Sequence, residues 1–432
     1  MTEFYLKGGI HPDAHKTSDI SFVRNFTIME GDDFFIPFVQ HIGSPASAIV
    51  NIGDEVERGQ LMPECGAGLS SRIHIHVNGK IIDISTVYHP AIGEFNGCTI
   101  SALNDDVSNF KKLDGGSDLS DIARKAGIVG LGGAGFPSYI KLNPNKPIDT
   151  VIINGAECEP YLMCDHALMR IKSENILAGA KMIKEHVKAG SCIIAIENNK
   201  KDCITILKQQ SQKYNIDIVS LPTKYPQGGE KQLIYSVLGR IVPSGRLPAD
   251  IGVLIQNVAT VNALYEAVVF SKPLFERIVT VAGEVENAAN YIMPVGVPVK
   301  RFLERTGNQY KKGHKVIFGG PMTGGSVASL DIPVIKTTGG VLLLKNQEKH
   351  NILPCIRCGK CSEVCVMGLI PIELERNFLH NMVEKNVDEK IMSCIECGCC
   401  SYICPSGRLL AETIKAGKKK AAVFLAKKKE NK

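Results

Sequence analysis

The sequence predicts a multidomain α/β plus β chain, with a small N-terminal β unit, a parallel α/β domain, a second β unit and a helical, cysteine-rich end. Three observations carry that reading. Short β-branched runs bounded by turn residues fill the first hundred positions, strands alternate with helices through the centre, and nine of the fifteen cysteines fall between Cys355 and Cys404. At 432 residues the chain also exceeds what one ordinary core serves.

In the N-terminal part, Phe34–Val39, Ala48–Ile52, Ile73–Val77 and Lys80–Ile84 read as strands, separated by turn residues such as Gly53-Asp54 and Asn78-Gly79. Beyond Asp121 the period changes. Thr150–Asn154, Cys192–Glu197 and Ile216–Leu221 read as strands, with helices over Met163–Val187 and Asp202–Tyr214 between them, an order that implies crossover helices on a parallel sheet. From Pro273 strands return at Arg277–Gly283 and Lys315–Phe318, with a short helix over Val299–Arg305. A helical stretch, Pro371–Lys385, lies between two cysteine runs, and Lys-rich sequence closes the chain. The expected domains are 1–110, 115–270, 271–348 and 349–410, followed by a basic tail at 411–432, read as a solvated, frayed end with docking on anionic lipid or a partner subunit as the alternative.

Composition removes several classes. The net charge of +6 is modest and much of it sits in the final Lys-rich run, so a nucleic-acid partner is not expected. Apolar runs such as Gly340–Leu344 are strand-sized rather than membrane-sized. The start, Met1-Thr2-Glu3, lacks a secretory layout, and a cytoplasmic chain is expected, in which closely spaced cysteines are metal-bound thiolates rather than disulfides. His74 and His76 alternate with Ile73 and Ile75, which favours a half-exposed strand face over a metal pair.

The cysteine runs carry the sharpest chemistry. Cys355-Ile-Arg-Cys358-Gly-Lys-Cys361-Ser-Glu-Val-Cys365 and Cys394-Ile-Glu-Cys397-Gly-Cys399-Cys400-Ser-Tyr-Ile-Cys404-Pro405 both follow C-x2-C-x2-C-x3-C. Three closely spaced thiolates wrap one face of a cubane, and in two-cluster units the fourth comes from the other run. One [4Fe–4S] cluster is therefore assigned to Cys355, Cys358, Cys361 and Cys404, and a second to Cys365, Cys394, Cys397 and Cys400. Zinc is the lesser alternative, because it takes four ligands in two spaced pairs. Cys399 is left as a spare thiol, with a ligand swap with Cys400 as the alternative, and Val366 stands where the first run would usually carry its proline.

Three segments belong to a different chemistry. Gly130-Leu131-Gly132-Gly133-Ala134-Gly135-Phe136-Pro137, followed by Lys141, can bring backbone N–H groups close to a phosphate. Asn154-Gly-Ala156-Glu157-Cys-Glu159-Pro160 closes a parallel strand, where ligands of open α/β sheets bind, and Tyr225-Pro-Gln-Gly228-Gly229-Glu230 follows another strand. In this order they resemble the NADH- and FMN-binding subunit of respiratory complex I. Together with Gly8-Gly9-Ile10-His11-Pro12, His41-Ile-Gly-Ser-Pro45 and the cysteine runs, the chain resembles the RnfC family, the NADH-facing subunits of Rnf ferredoxin:NAD oxidoreductases.

The resemblance implies a barrel-sandwich-like N-terminal domain, a Rossmann-like flavin domain, a β-grasp (SLBB-like) unit and a ferredoxin-like end. It implies FMN on Gly130, Gly132, Gly133, Gly135 and Lys141, with Asn154, Gly228, Gly229, Glu230 and Asn257 around it. Glu157 and Glu159 would place NAD(H), with Phe136 and Tyr225 as stacking candidates, while Ala156 stands where the complex I pattern often has an acidic residue. The implied activity is an oxidoreductase subunit passing electrons between NAD(H), FMN and two clusters. Its implied partners are the other subunits of a membrane Rnf complex and a ferredoxin-type carrier, with the chain peripheral on the cytoplasmic face. Two alternatives stand beside it: a soluble paralogue feeding a substrate reductase such as proline reductase, and a flavin-free cluster scaffold.

Overall fold

The computed structural model describes residues 4–16, 22–66, 68–346 and 351–430. The start at Met1-Thr2-Glu3 and the end of the Lys-rich run at Lys432 lie outside these residues. The chain forms two compact units: Ala14–Leu221 with Gly252–Asn346, and Met1–Asp13 with Pro222–Ile251 and Gln347–Lys432.

In the first unit, Asp33–Pro37, Gly93–Ala102, Gly79–His89 and Glu55–Val56 make an antiparallel sheet, accompanied by a ribbon of Ser47–Ala48 with Pro63–Glu64. A mixed six-stranded sheet runs Val23–Asn25, Ala289–Pro294, Glu276–Gly283, Gly340–Lys345, His314–Phe318 and Gly325–Val327, with the helix Val299–Arg305 following the second of these in the chain. Phe34, Ile36, Ile81 and Ile100 from the antiparallel sheet share one hydrophobic cluster with Val281, Tyr291, Phe302 and Leu343. The two β regions, far apart in sequence, are thus one core. Burial removes apolar surface from water wherever alternating residues face one another, regardless of chain separation.

Ile73–Val77, expected as a strand, forms the isolated bridge Leu61–His74, with backbone hydrogen bonds of Ile73 and Ile75 to Gly59, Gln60, Met62 and Pro63. His74 and His76 are 3% and 5% exposed, which corrects the expectation of a half-exposed strand face. His76 Nδ1 lies 3.4 Å from Glu276, and its ring meets Phe275 edge-on with centroids 5.2 Å apart. Burial pushes the His76 pKa down to about 3, so the ring is neutral at ordinary pH.

The α/β region is a four-stranded parallel sheet in the order Asp217–Leu221, Ser191–Glu197, Thr150–Gly155, Val253–Asn257. Its first three strands match the sequence reading. The fourth, Val253–Asn257, is an addition, signalled by an apolar run ending in a helix-capping asparagine: Asn257 Oδ1 accepts from Ala259 N at 2.8 Å. The single helix expected over Met163–Val187 is two, Cys164–Ile171 and Ser173–His186, broken at Lys172.

In the second unit, Pro371–Leu379, Val383–Asp388 and Leu410–Glu430 are the main helices of the cysteine-rich region. The Lys-rich end is helical rather than frayed. Leu410, Ile414 and Ala421, each at most 1% exposed, share a face that packs with Leu369, Leu374 and Ile391. Gly417 lies in the same stripe, where a Cβ would stand 2.9 Å from Ile391 Cδ1.

Phe302 is fully buried in the joint β core. Replacing it with Ala should cost about 3–5 kcal/mol from lost burial and the cavity left behind. Chemical denaturation measures this, and a loss below about 1 kcal/mol would show that the two β regions do not share a load.

Candidate redox site

The strand order places Thr150–Gly155 between Ser191–Glu197 and Val253–Asn257, so the order of strand addition reverses at the parallel Thr150–Gly155/Val253–Asn257 pair. Open α/β sheets bind ligands outside the carboxyl ends of strands at such a switch point. Asn154 and Asn257 are register partners there. Asn154 Oδ1 accepts from Ala156 N at 3.0 Å, and Asn257 Nδ2 donates to Asp165 Oδ2 at 2.7 Å.

The glycine loop reaches the same edge. A Cβ on Gly132 would lie 3.2 Å from Asn257 Cβ, and one on Gly135, whose φ is +65°, would lie 2.7 Å from Thr337 Cγ2. The loop is pinned from behind: Leu131 N donates to Thr260 Oγ1 at 2.9 Å, Gly130 N to Phe136 O at 2.8 Å, and Ile42 N to Gly135 O at 3.2 Å. The last bond gives the His41–Pro45 motif its job. Gly132, Gly133 and Ala134 are exposed, and among the described residues their amides have no protein acceptor. A bare run of amides at the carboxyl edge of a parallel sheet suits a phosphate. Lys141 Nζ donates to Ile255 O at 3.4 Å, under the same strand end.

Glu157 and Glu159 both have structural work. Glu157 accepts from Asp165 N at 2.9 Å and His166 N at 3.2 Å, capping the helix Cys164–Ile171, while its own carbonyl accepts from Lys16 Nζ at 2.6 Å and Lys200 Nζ at 3.2 Å. Glu159 accepts from Met322 N at 3.1 Å and Thr323 N at 3.0 Å. Asp165, Thr260, Lys16 and Lys200 are the residues sequence reading missed. Nothing in their local sequence marks them, because only the packing of distant segments brings them to the sheet edge. Phe136 stays in the glycine loop of this unit, whereas Tyr225, Gly228, Gly229 and Glu230 belong to the other unit, at the start of the helix Glu230–Leu238.

The cysteine region repeats itself in three dimensions. Arg357 and Glu396 have φ of +55° and +57°, and Gly359 and Gly398 +76° and +80°. Arg357 N donates to Cys355 Sγ and Glu396 N to Cys394 Sγ, each at 3.4 Å. Cys365, Cys394, Cys397 and Cys400 line one cavity, together with Cys399. Cys404 is instead drawn to the first run. Leu353 N donates to Ser406 O at 3.0 Å, Ser406 Oγ to Pro354 O at 3.0 Å, and Arg408 lies in the field of both Cys355 and Cys404.

The donor spacing separates cubane from single ion. Four thiolates on zinc at ~2.3 Å would lie about 3.8 Å apart in a tetrahedron. Among the described residues, the only triads of ligand atoms within 4.8 Å are His166/Asp202/Cys203 and Glu157/Cys164/Asp165, neither in the cysteine runs. The cysteine-rich region is consistent with iron–sulfur chemistry.

A parallel α/β sheet with an exposed glycine loop, in one chain with a cysteine-rich helical region that fits iron–sulfur chemistry, defines the class as an oxidoreductase subunit. The Nuo51 FMN-binding domain family matches residues 123–266, and the RnfC barrel sandwich hybrid domain family matches residues 4–105. The chain is 38% identical over 385 residues to the C subunit of the proton-translocating ferredoxin:NAD(+) oxidoreductase complex of Clostridium ljungdahlii, covering 85% of this chain and 82% of the relative. It is 37% identical to the Na(+)-translocating counterpart of Acetobacterium woodii, covering 88% of each. The C subunit of the ion-translocating oxidoreductase complex of Rhodobacter capsulatus is 35% identical, over 87% of this chain and 75% of the relative. A solved NAD+-reducing [NiFe]-hydrogenase in the H2-reduced state shares the fold at a TM-score of 0.50 and 18% identity, covering 60% of this chain and 52% of that one. The chain belongs to the RnfC family, the C subunits of ion-translocating ferredoxin:NAD+ oxidoreductase complexes.

Burial and the neighbouring Glu157 carboxylate push the Asp165 pKa up to about 7, from ~3.9 in an unfolded chain. An acid raised on folding holds its stabilising contribution fully below the unfolded value and loses it as pH climbs through the folded one. Asp165→Asn should therefore gain stability relative to the parent as pH rises from 5 to 8. Parallel pH profiles of the two denaturation midpoints would rule the shift out.

Proposed function

We propose that the chain passes electrons between NAD(H), FMN and two [4Fe–4S] clusters, as the C subunit of an ion-translocating ferredoxin:NAD oxidoreductase. The observation that carries this is the bare-amide glycine loop at the switch point of the sheet, in the same chain as two structurally repeated cysteine runs. FMN is the group that exchanges a hydride with a nicotinamide on one side and single electrons with clusters on the other.

The protein's contribution is positional. Gly130, Gly132, Gly133 and Gly135 hold the phosphate, Lys141 adds charge, and Asn154 and Asn257 orient polar ring or ribityl groups from the sheet edge. Gly228, Gly229 and Glu230 contribute from their own helix start. Phe136 and Tyr225 are the stacking candidates. Glu157 and Glu159 shape the nicotinamide side by fixing the backbone around them, a role that fits their internal hydrogen bonds better than direct contact does. One cluster sits on Cys355, Cys358, Cys361 and Cys404, the other on Cys365, Cys394, Cys397 and Cys400. The finer architecture is a barrel-sandwich unit, a β-grasp unit and a two-cluster ferredoxin-like region.

Among the described residues no helix is long and apolar enough to cross a membrane. Ion movement is therefore assigned to partner subunits, and this chain to a peripheral position on the cytoplasmic face beside them and a ferredoxin-type carrier. A soluble paralogue serving a substrate reductase would have the same parts, and the pairing of 82% and 88% coverage with named complex subunits favours the membrane complex.

Anaerobically purified protein should contain about eight irons per chain, as two cubanes require, and FMN, and NADH should bleach both chromophores. Gly132→Val, which drives a side chain into Asn257, should lower FMN retention at least tenfold with the iron content unchanged. Clusters without FMN in the parent protein would replace this reading with a scaffold.

A further inference from the structure

The two cysteine runs share one backbone plan and differ at one place inside it. In each run a glycine in the left-handed region, Gly359 at φ +76° and Gly398 at +80°, opens a single helical turn, Lys360–Glu363 in the first and Cys399–Tyr402 in the second. The backbone bonds repeat as well: Val364 N donates to Lys360 O at 3.2 Å, and Ile403 N to Cys399 O at 3.1 Å. The first position of the turn stands between two ligand cysteines in both runs, Cys358 and Cys361 in one and Cys397 and Cys400 in the other. It carries an exposed lysine in the first run and a cysteine only 1% exposed in the second. The backbone thus tolerates a solvated charge at this position, and the burial of Cys399 comes from its surroundings.

Cys399 lines the same cavity as Cys365, Cys394, Cys397 and Cys400. Five thiols therefore border a space whose cubane would take four. Val366, Leu369, Pro371 and Ile414 add apolar lining. A thiol in such a place keeps its proton, because burial disfavours the thiolate. As an S–H group it is a donor, and its side chain hydrogen-bonds Cys397. The neighbouring sulfurs are served by main chain instead: Glu396 N donates to Cys394 Sγ at 3.4 Å and Leu369 N to Cys365 Sγ at 3.3 Å. In the first run Arg357 N donates to Cys355 Sγ at 3.4 Å, as Glu396 N does in the second, but among the described residues Lys360 gives no hydrogen bond to a sulfur.

We propose that Cys399 is a positioning residue and not a ligand: its thiol donates a hydrogen bond to the Cys397 sulfur and so raises the midpoint potential of the cluster on Cys365, Cys394, Cys397 and Cys400. The role rests on the two-cluster reading above. Reduction adds negative charge that is shared with the ligand sulfurs, so a donor on one of them favours the reduced form over the oxidised one, and hydrogen bonds to the sulfurs are among the levers that set cluster potential. A thiol is a weak donor, which makes the effect modest, and its place in one cavity confines it to one cluster. Two runs of the same ligand spacing thereby give clusters of different chemistry.

Dithionite titration of the full-length, anaerobically purified protein, followed by EPR, tests this. Cys399→Ala removes the donor and leaves all eight assigned ligands in place, and Cys399→Ser keeps a donor. Cys399→Ala should retain about eight irons, the content of two cubanes, with one cluster shifted in its EPR spectrum and moved to a lower midpoint potential and the other unchanged. The moved signal should be the one absent from Cys394→Ala, or, where that variant loses both clusters, the one surviving in Cys358→Ala. Cys399→Ser should bring the potential back toward that of the parent. An unmoved potential in Cys399→Ala, equal movement of both clusters, or a shift that serine does not reverse would overturn the role. Loss of half the iron from Cys399→Ala, with Cys400→Ala still carrying the full amount, would overturn it by making Cys399 the ligand. Parent protein without bound iron would strike the cluster reading itself, and this role with it.

Discussion

Two buried cations set the frame on which the first unit depends. Lys336 is fully buried, and its ammonium donates to the carbonyls of Gly127, at 2.6 Å, and Arg72. Arg277, 6% exposed, donates to Lys336 O and to Leu131 O at 3.3 Å. Burial pushes the Lys336 pKa down to about 7, the expected response of an ammonium taken from water and given carbonyl dipoles instead of a counter-ion. Stripping a cation of water costs several kcal/mol unless every donor finds an acceptor. The chain meets that demand by converging remote segments on one point: Arg72 from the N-terminal β region, Gly127 and Leu131 from the approach to the glycine loop, Arg277 from the strand Glu276–Gly283, and Lys336 from the turn before Gly340–Lys345. The loop's exposed amides are backed by these bonds to Gly127 O and Leu131 O on its other side.

The same demand governs the carboxylates. Glu157, Glu159 and Asp165 lie near the sheet edge, where like charges repel, and each is offset by backbone N–H groups, an asparagine amide or nearby lysines. Much of what sequence motifs assign to ligand binding thus goes into holding the binding backbone in shape. Motif residues nearest a site often serve it indirectly, because a cradle of main-chain amides has to be held by side chains.

The cysteine region solves a different problem. Thiolates in a C-x2-C-x2-C loop leave little room for a hydrophobic core, and the long helix Leu410–Glu430 supplies one through Leu410, Ile414 and Ala421. Its lysines do local work as well. Lys418 donates to Cys394 O and to Glu396, both at 2.7 Å, bracing the second cysteine loop from outside. A run that looks like a solvated basic tail becomes a structural strut once its apolar stripe at i, i+4 and i+11 is satisfied.

By itself the sequence determined the α/β order of the centre, three of the four parallel strands, the helix Val299–Arg305, the spacing of the cysteine runs and the glycine loop. These are local signals, set by period, turn chemistry and ligand spacing within a few residues. Only the tertiary structure decided that the N-terminal and third β regions share one core, that His74 and His76 are buried, and that Asp165, Thr260 and Lys336 back the loop. It alone joined Gly9 to the first cysteine run, at Val364, and Tyr225 to the second, at Cys397. Each of these depends on contacts between segments tens to hundreds of residues apart, and the free energy of burial and of satisfying buried donors is fixed by which surfaces meet, something no local pattern of residues encodes.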